Sequence, residues 1–274
     1  MASRGLQFLP VELLYEIQLL ALSPSLPVIS RHMQAVFRGT TPLYRAEYLM
    51  GRQFHHDIEP DQVLRYPLCS QAVLPHIMPM LREDLNGVPA GLIIFRLPKR
   101  LFRPLAPLSD LAKPRTESTH PLPLLKRMYY TADFARLDPN AYDGYALTRA
   151  VHANFVPLIR FLLALGADPG ARDGLAVVIA IRRRDLALVR MLFERVPGDA
   201  QKRAAAGKQP RGDRVLATNA MLRTAVKCDA RDIVRYFREE KGLVPNLRTL
   251  SMLPAFDAPA AARPAGSPLK RKRG

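Results

Sequence analysis

Four groups of residues have types and spacing that could do chemistry. His55-His56-Asp57 sets two imidazoles beside a carboxylate, the side chains of a metal site, but no fourth ligand lies near it in the sequence and adjacent histidines commonly end a solvated helix. Cys69 and His76 would pair a thiol with a base, yet nothing in the sequence orients them; a buried thiol and a surface imidazole is the plainer reading. Arg182-Arg183-Arg184 is either a solvated turn or a basic strip for an acidic partner. Lys270-Arg271-Lys272-Arg273 follows Pro268 on an Ala- and Pro-rich end, and four consecutive cations on an extended segment can thread an acidic groove. No metalloprotease helix motif, phosphate-cradling glycine loop, nucleophile elbow or paired carboxylates appear, so neither catalysis nor a cofactor is expected.

The elements that carry these residues are read from composition and period. The chain has 274 residues with a formal charge of +17, and 41 Lys plus Arg stand against 24 Asp plus Glu. Residues 197–250 hold 12 basic and 6 acidic groups and residues 251–274 hold 5 and 1, so more than half of that charge sits at the C-terminal end. Aromatic content is 7% with no Trp, which argues against a base-stacking platform and makes nucleic acid the disfavoured partner. Two cysteines cannot build a disulfide framework or a four-thiolate zinc site, and a reducing compartment follows as the default. No run reaches the length of a membrane span, and the first residues lack a signal-peptide pattern.

Almost all the periodicity is helical, which predicts an all-α fold. The exception is Gly91 to Phe95, a short strand candidate. Pro10 opens a helix in which Leu13, Leu14, Ile17 and Leu20 form an apolar stripe. Ser25 and Pro27 open a second, with Ile29, Met33, Val36 and Phe37 on one face, and Thr41-Pro42 a third that ends near Gly51. Such a piece is marginal alone. Residues 52–140 read as degenerate helices, Val63 to Met80 among them, followed by an irregular Pro-rich connection over 98–123.

A repeat dominates residues 141–250. Asp143-Gly144, Leu147, Ala150-Val151, Leu158-Ile159 and Leu162 recur 30 residues later as Asp173-Gly174, Val177, Ala180-Ile181, Leu188-Val189 and Leu192. A third copy beyond a loop at 197–214 reads Leu222, Ala225-Val226, Ile233-Val234 and Phe237. Each copy predicts a helix pair in which a small Ala permits close approach, and Gly166 suits the left-handed position after a helix end. Leu124-Leu125 through Asn140 has the character of half a further unit, and the tail over 251–274 is expected to be disordered and basic.

Two family resemblances rest on these residues. Leu9-Pro10, Glu12-Leu13, Ile17, Leu20, Leu26, Ser30-Arg31 and Phe37 resemble the F-box motif, although two prolines in Ser23 to Pro27 depart from it; a generic helical cap is the bland reading. The repeat, running from Asp143-Gly144 to Gly166-Ala167-Asp168, resembles ankyrin repeats with a period three residues short and without the Thr-Pro-Leu-His start. The combination is similar to fungal F-box proteins with ankyrin repeats. That resemblance implies a non-catalytic substrate receptor of a cullin-RING ubiquitin ligase. Leu9, Pro10, Leu13, Leu14 and Ile17 would contact the ligase adaptor subunit, with Leu26, Ile29 and Phe37 internal, and the repeats would hold an unidentified protein substrate. Lys270, Arg271, Lys272 and Arg273 resemble a nuclear localisation signal read by an importin, which places the protein in the nucleus as well as the cytoplasm. The alternative is a nuclear ankyrin scaffold whose front helices only cap the stack.

Overall fold

A computed structural model describes residues 5–55, 60–85, 93–107, 115–131, 136–195 and 212–252, and these are mostly helical. None of the described helices is long and apolar enough to cross a membrane. The chain divides into two compact units, Met1–Ala167 and Asp168–Gly274. The division falls inside the span expected to be a single repeat region, after its first copy.

In the first unit, a 3-10 turn over Leu6–Phe8 leads through Leu9 and Pro10 into α1, Val11–Ala21. The second helix differs from expectation. Ser25 to Pro27 yields only a 3-10 turn, Leu26–Val28, and α2 runs from Arg31 to Arg38. Ser30 is the reason: its extended backbone breaks the run, and its hydroxyl accepts the Met33 amide at 3.2 Å to cap α2. Ile29 is thereby left outside the helical register and is 63% exposed rather than internal, whereas Leu26 and Phe37 are buried. They join Leu14 and Met33 in the core of the module, flanked by Leu9, Tyr15, Ile17 and Val36.

The third helix, α3, spans Pro42–His55, past the expected stop at Gly51. There the absent side chain serves packing, because a Cβ on Gly51 would come within 2.9 Å of Leu22 Cδ2. Packed on α3 is α4, Leu74–Asp84, itself in contact with α5, Leu122–Thr131. Strands β1, Ile94–Arg96, and β2, Arg136–Asp138, pair in parallel with Phe95 opposite Leu137. This strand overlaps the Gly91 to Phe95 candidate; residues 91 and 92 lie outside the described set.

Nor is the Pro-rich connection a loose one where it is described. Leu101, Phe102 and Leu105 are buried, and the Arg149 guanidinium donates to the carbonyls of Phe102 (3.4 Å), Arg103 (2.9 Å) and Leu105. Arg100 donates to the carbonyls of Leu64 at 2.7 Å and Cys69 at 3.0 Å. Prolines leave carbonyl acceptors without matching amide donors, and arginine forks supply the missing protons.

The first repeat copy closes this unit as α6, Ala141–His152, and α7, Val156–Ala164. In the second unit the next copies are α8, Ala171–Arg182, with α9, Leu186–Phe193, and α10, Asn219–Lys227, with α11, Arg231–Arg235; a π turn, Tyr236–Glu240, continues α11. Here α10 packs on α8 and α11 on α9, so these two copies stack. A short α12, Leu247–Leu250, packs on α10.

Every matched apolar position of the three copies is buried; Val226 is the least so, at 7% exposure. The turn between paired helices also repeats in atomic detail. Asn154, Arg184 and Asp229 are left-handed in phase, at φ 51°, 57° and 54°. Their amides donate to Val151, Ile181 and Val226, and the following amides of Phe155, Asp185 and Ala230 donate to Ala150, Ala180 and Ala225. These paired bonds satisfy the last carbonyls of each first helix. The Ala-plus-apolar pair seen in the sequence therefore has two uses: side chains for the core and carbonyls for the turn.

Starts of the first helices repeat only twice. Asp138 and Asp168 side chains accept the amides of Asn140 (2.9 Å) and Gly170 (2.8 Å), and then Tyr142-Asp143-Gly144 and Arg172-Asp173-Gly174 each take three left-handed residues in a row. Left-handed geometry costs a non-glycine residue about 1–2 kcal/mol, which explains the glycine at the third position of both turns. The third copy instead begins with extended Thr218, whose hydroxyl accepts the Met221 amide at 3.3 Å.

Candidate functional site

Helix α1 carries an inner row and an apolar outer one. Leu14 and Gln18, at i and i+4, face inward and are buried. Leu13, Ile17 and Leu20, at i, i+4 and i+7, form the neighbouring row, in which Leu13 is 44% and Leu20 85% exposed and Ile17 half-buried.

The two rows divide the five residues expected to face an adaptor. Pro10 and Leu13 are exposed, Leu9 and Ile17 lean half-buried on the module's core, and Leu14 is wholly inside it. Leu14 is thus a core residue, and a partner would meet Pro10, Leu13 and Leu20 first. Phe8, Val28 and Ile29 are further exposed apolar side chains of the module, at 67%, 71% and 63%. Sequence reasoning did not select Phe8 and Val28, which lie on no helical stripe, and it placed Ile29 on a buried face that the late start of α2 removes.

The surface is held by a polar frame behind α1. The Tyr15 hydroxyl donates to the Val36 carbonyl at 3.2 Å, and that of Tyr44 to the Tyr15 carbonyl at 3.0 Å. Burial, followed by the neighbouring Tyr15, Tyr48 and Glu47, raises the Tyr44 phenol above the usual tyrosine range, so it stays a donor. Arg45 closes the end of α2, donating Nε to Thr40 Oγ1 at 2.9 Å and Nη2 to the Arg38 carbonyl at 2.7 Å. Leu22 ends α1 in the left-handed conformation, its amide on the Gln18 carbonyl at 2.9 Å. The apolar row is therefore presented on a braced helix.

The other candidates separate. Cys69 is buried while His76 is exposed, so the structure does not bring them together as nucleophile and base. Burial pushes the Cys69 thiol up to about 11, against a lesser lowering by Arg100. His56 and Asp57 lie outside the described residues, as does the side chain of His55, and no group of three metal-ligating side chains gathers among the described residues. Arg182, Arg183 and Arg184 are exposed where α8 ends and turns toward α9, and of the three only Arg184 is left-handed. Lys270, Arg271, Lys272 and Arg273 lie outside the described residues.

Residues 196–211 are also outside, but both ends of that insertion are visible. Arg195 Nε donates to the Gly212 carbonyl at 3.2 Å and the Arg214 amide to the Phe193 carbonyl at 2.7 Å, so the chain leaves and re-enters the repeat at one place.

The chain matches no known family model, no curated protein and no solved structure.

Proposed function

We propose that this protein is a non-catalytic receptor that joins two other proteins: the adaptor subunit of a cullin-RING ubiquitin ligase at its N-terminal module, and a target protein at its repeats. The observation that carries the reading is the pair of exposed side chains Leu13 and Leu20, flanking half-buried Ile17 and beside exposed Pro10, on a helix whose inward Leu14 already packs in the module's core. A helix that only capped a stack would need no apolar side chains beyond its inward face; the exposed Leu13 and Leu20 suit burial against a partner. The in-phase turns of three helix pairs support the repeat half, because they hold each pair in the same geometry. Such a receptor breaks and makes no bonds. It raises the local concentration of one bound protein near another.

Co-purification of the chain with a ligase adaptor tests this directly. Wild type is expected to retain the adaptor, and Leu13→Asp with Leu20→Asp, both exposed and so compatible with folding, to lose it. A wild-type chain that retains no adaptor sinks the ligase reading and leaves a repeat scaffold. Nuclear delivery by Lys270 to Arg273 is a separate part of the proposal, and a tail-deleted fluorescent fusion that stays nuclear would remove it.

A further inference from the structure

The turn between α8 and α9 carries a residue that its own fold does not call for. Asn154, Arg184 and Asp229 hold the same left-handed place after a first helix. Asparagine and aspartate tolerate that region because a short polar side chain can bond locally, and arginine has no such compensation. Nor is Arg184 needed to finish the helix. Its amide donates to the Ile181 carbonyl and that of Asp185 to the Ala180 carbonyl, bonds that any residue except proline supplies. It follows the C-terminus of α8, where a cation is favoured, and precedes the N-terminus of α9, where a cation is disfavoured, so the two helix dipoles oppose each other at its position.

Charge is also concentrated on this turn. Arg182, Arg183 and Arg184 are consecutive and exposed, and the adjoining carboxylate is engaged elsewhere: Asp185 Oδ1 accepts the Leu188 amide at 2.9 Å to cap α9. Neither Arg182 nor Arg184 meets a carboxylate among the described residues. The corresponding turn between α10 and α11 is balanced instead. There Lys227 and Arg231 stand against Asp229 and Asp232, with Arg231 and Asp229 paired at 3.7 Å. Because α10 packs on α8 and α11 on α9, the two turns lie side by side, and the cationic excess belongs to one of them.

An arginine kept where the backbone disfavours it, beside a second arginine that also lacks a carboxylate, fits an anionic partner outside the fold. A guanidinium presents a planar fork of donors that a carboxylate accepts bidentately. Residues 182–186 include no aromatic side chain, so bases would have nothing there to stack on and a nucleic acid is the poorer occupant. We infer that the turn between α8 and α9 binds an acidic segment of the target protein, with Arg182 and Arg184 as its contacts. This rests on the reading of the repeats as the half that holds a target, and it is independent of the adaptor.

Titration of the full chain with labelled hexaglutamate tests it. Arg182→Gln with Arg184→Asn is expected to weaken binding about five- to tenfold, as the loss of two exposed ion pairs would. Arg238→Gln with Arg248→Gln removes the same charge from exposed places elsewhere in the unit and is expected to weaken it by about twofold or less. Arg184→Asn alone should raise the melting temperature by a few degrees, because asparagine suits the left-handed place. Equal losses in the two double variants, no binding tighter than about 1 mM, or a melting temperature that falls in Arg184→Asn overturns the proposal. So does a single-stranded oligonucleotide that binds through the same two arginines more tightly than hexaglutamate. A chain that binds hexaglutamate at this turn but retains no adaptor loses the ligase reading and keeps this one.

Discussion

The Tyr236 hydroxyl donates to Glu194 Oε1 at 3.1 Å, tying the π turn after α11 to the end of α9. The same phenol ring, buried, meets Phe193 edge-on and lies beneath Arg190 and Lys241, whose charges are matched by Glu194 and Glu240 and by Asp213. Burial, with the Glu194 bond next, holds the phenol's pKa above the usual tyrosine range. Tyr236→Phe keeps the ring and removes only the bond. It is expected to lower stability by about 1 kcal/mol in urea unfolding, and Glu194→Gln should then add less in the Phe variant than in the wild type.

Gly174 is the third left-handed residue before the body of α8, at φ 71°, and a Cβ there would run into Met221 Cε of α10. Gly174→Ala therefore carries backbone strain and must displace the Met221 methyl, the end of a flexible side chain, and a loss of about 1–2 kcal/mol is expected. Gly212 has open space around it and an ordinary φ, so Gly212→Ala should change the melting temperature little.

The two cysteines should separate by reactivity. At pH 8 a disulfide reagent is expected to modify half-exposed Cys228 while the chain stays folded, and to reach Cys69 only after denaturant is added. The alkaline limb follows from the same burial. Because folding raises the Cys69 pKa from about 9 to about 11, the unfolded chain releases its proton first. This contribution is intact below pH 9 and declines as pH rises toward 11, by an order of 2 kcal/mol. Cys69→Ala should flatten the pH dependence over that window, at a cost in absolute stability.

Arg149→Met keeps the apolar stem and removes the donors to Phe102, Arg103 and Leu105. Three carbonyls of the Pro-rich segment would lose a charged donor, and a loss of about 2 kcal/mol is expected in chemical denaturation. Hydrogen exchange should increase first at the amides of Leu101, Phe102, Arg103 and Leu105, whose short-range bonds lie in the segment that Arg149 braces.

The repeat was legible because burial and period coincide: each Ala at 150, 180 and 225 is both small and fully enclosed. The turns that follow were not, since Asn154, Arg184 and Asp229 share a left-handed conformation but no side-chain chemistry, and none is glycine. Asn154 and Asp229 are of the types that tolerate the left-handed region and so carry a weak mark, but Arg184 at the same place carries none, and the three do not read as one signal. In the N-terminal module, Leu13 and Leu14 are adjacent and equally apolar, and their opposite fates are set by which row of α1 meets Phe37 and Met33. Ser30 was read as part of a motif when its larger effect is to delay α2. The seating of Arg52 over the Tyr66 ring, at 5.3 Å, was wholly illegible, because the two become neighbours only through packing.

The neck formed by Arg195 with Gly212 and Phe193 with Arg214 has a consequence for how this chain can vary. Closing a chain on a fixed neck costs only about 0.6 kcal/mol more for each doubling of its length. The phase between the second and third copies is therefore set by the neck and by α10 packing on α8, and not by the number of residues between them. Position 196–211 is a natural port, where a tag or a whole folded domain could be spliced in while α8 to α11 keep their stacking.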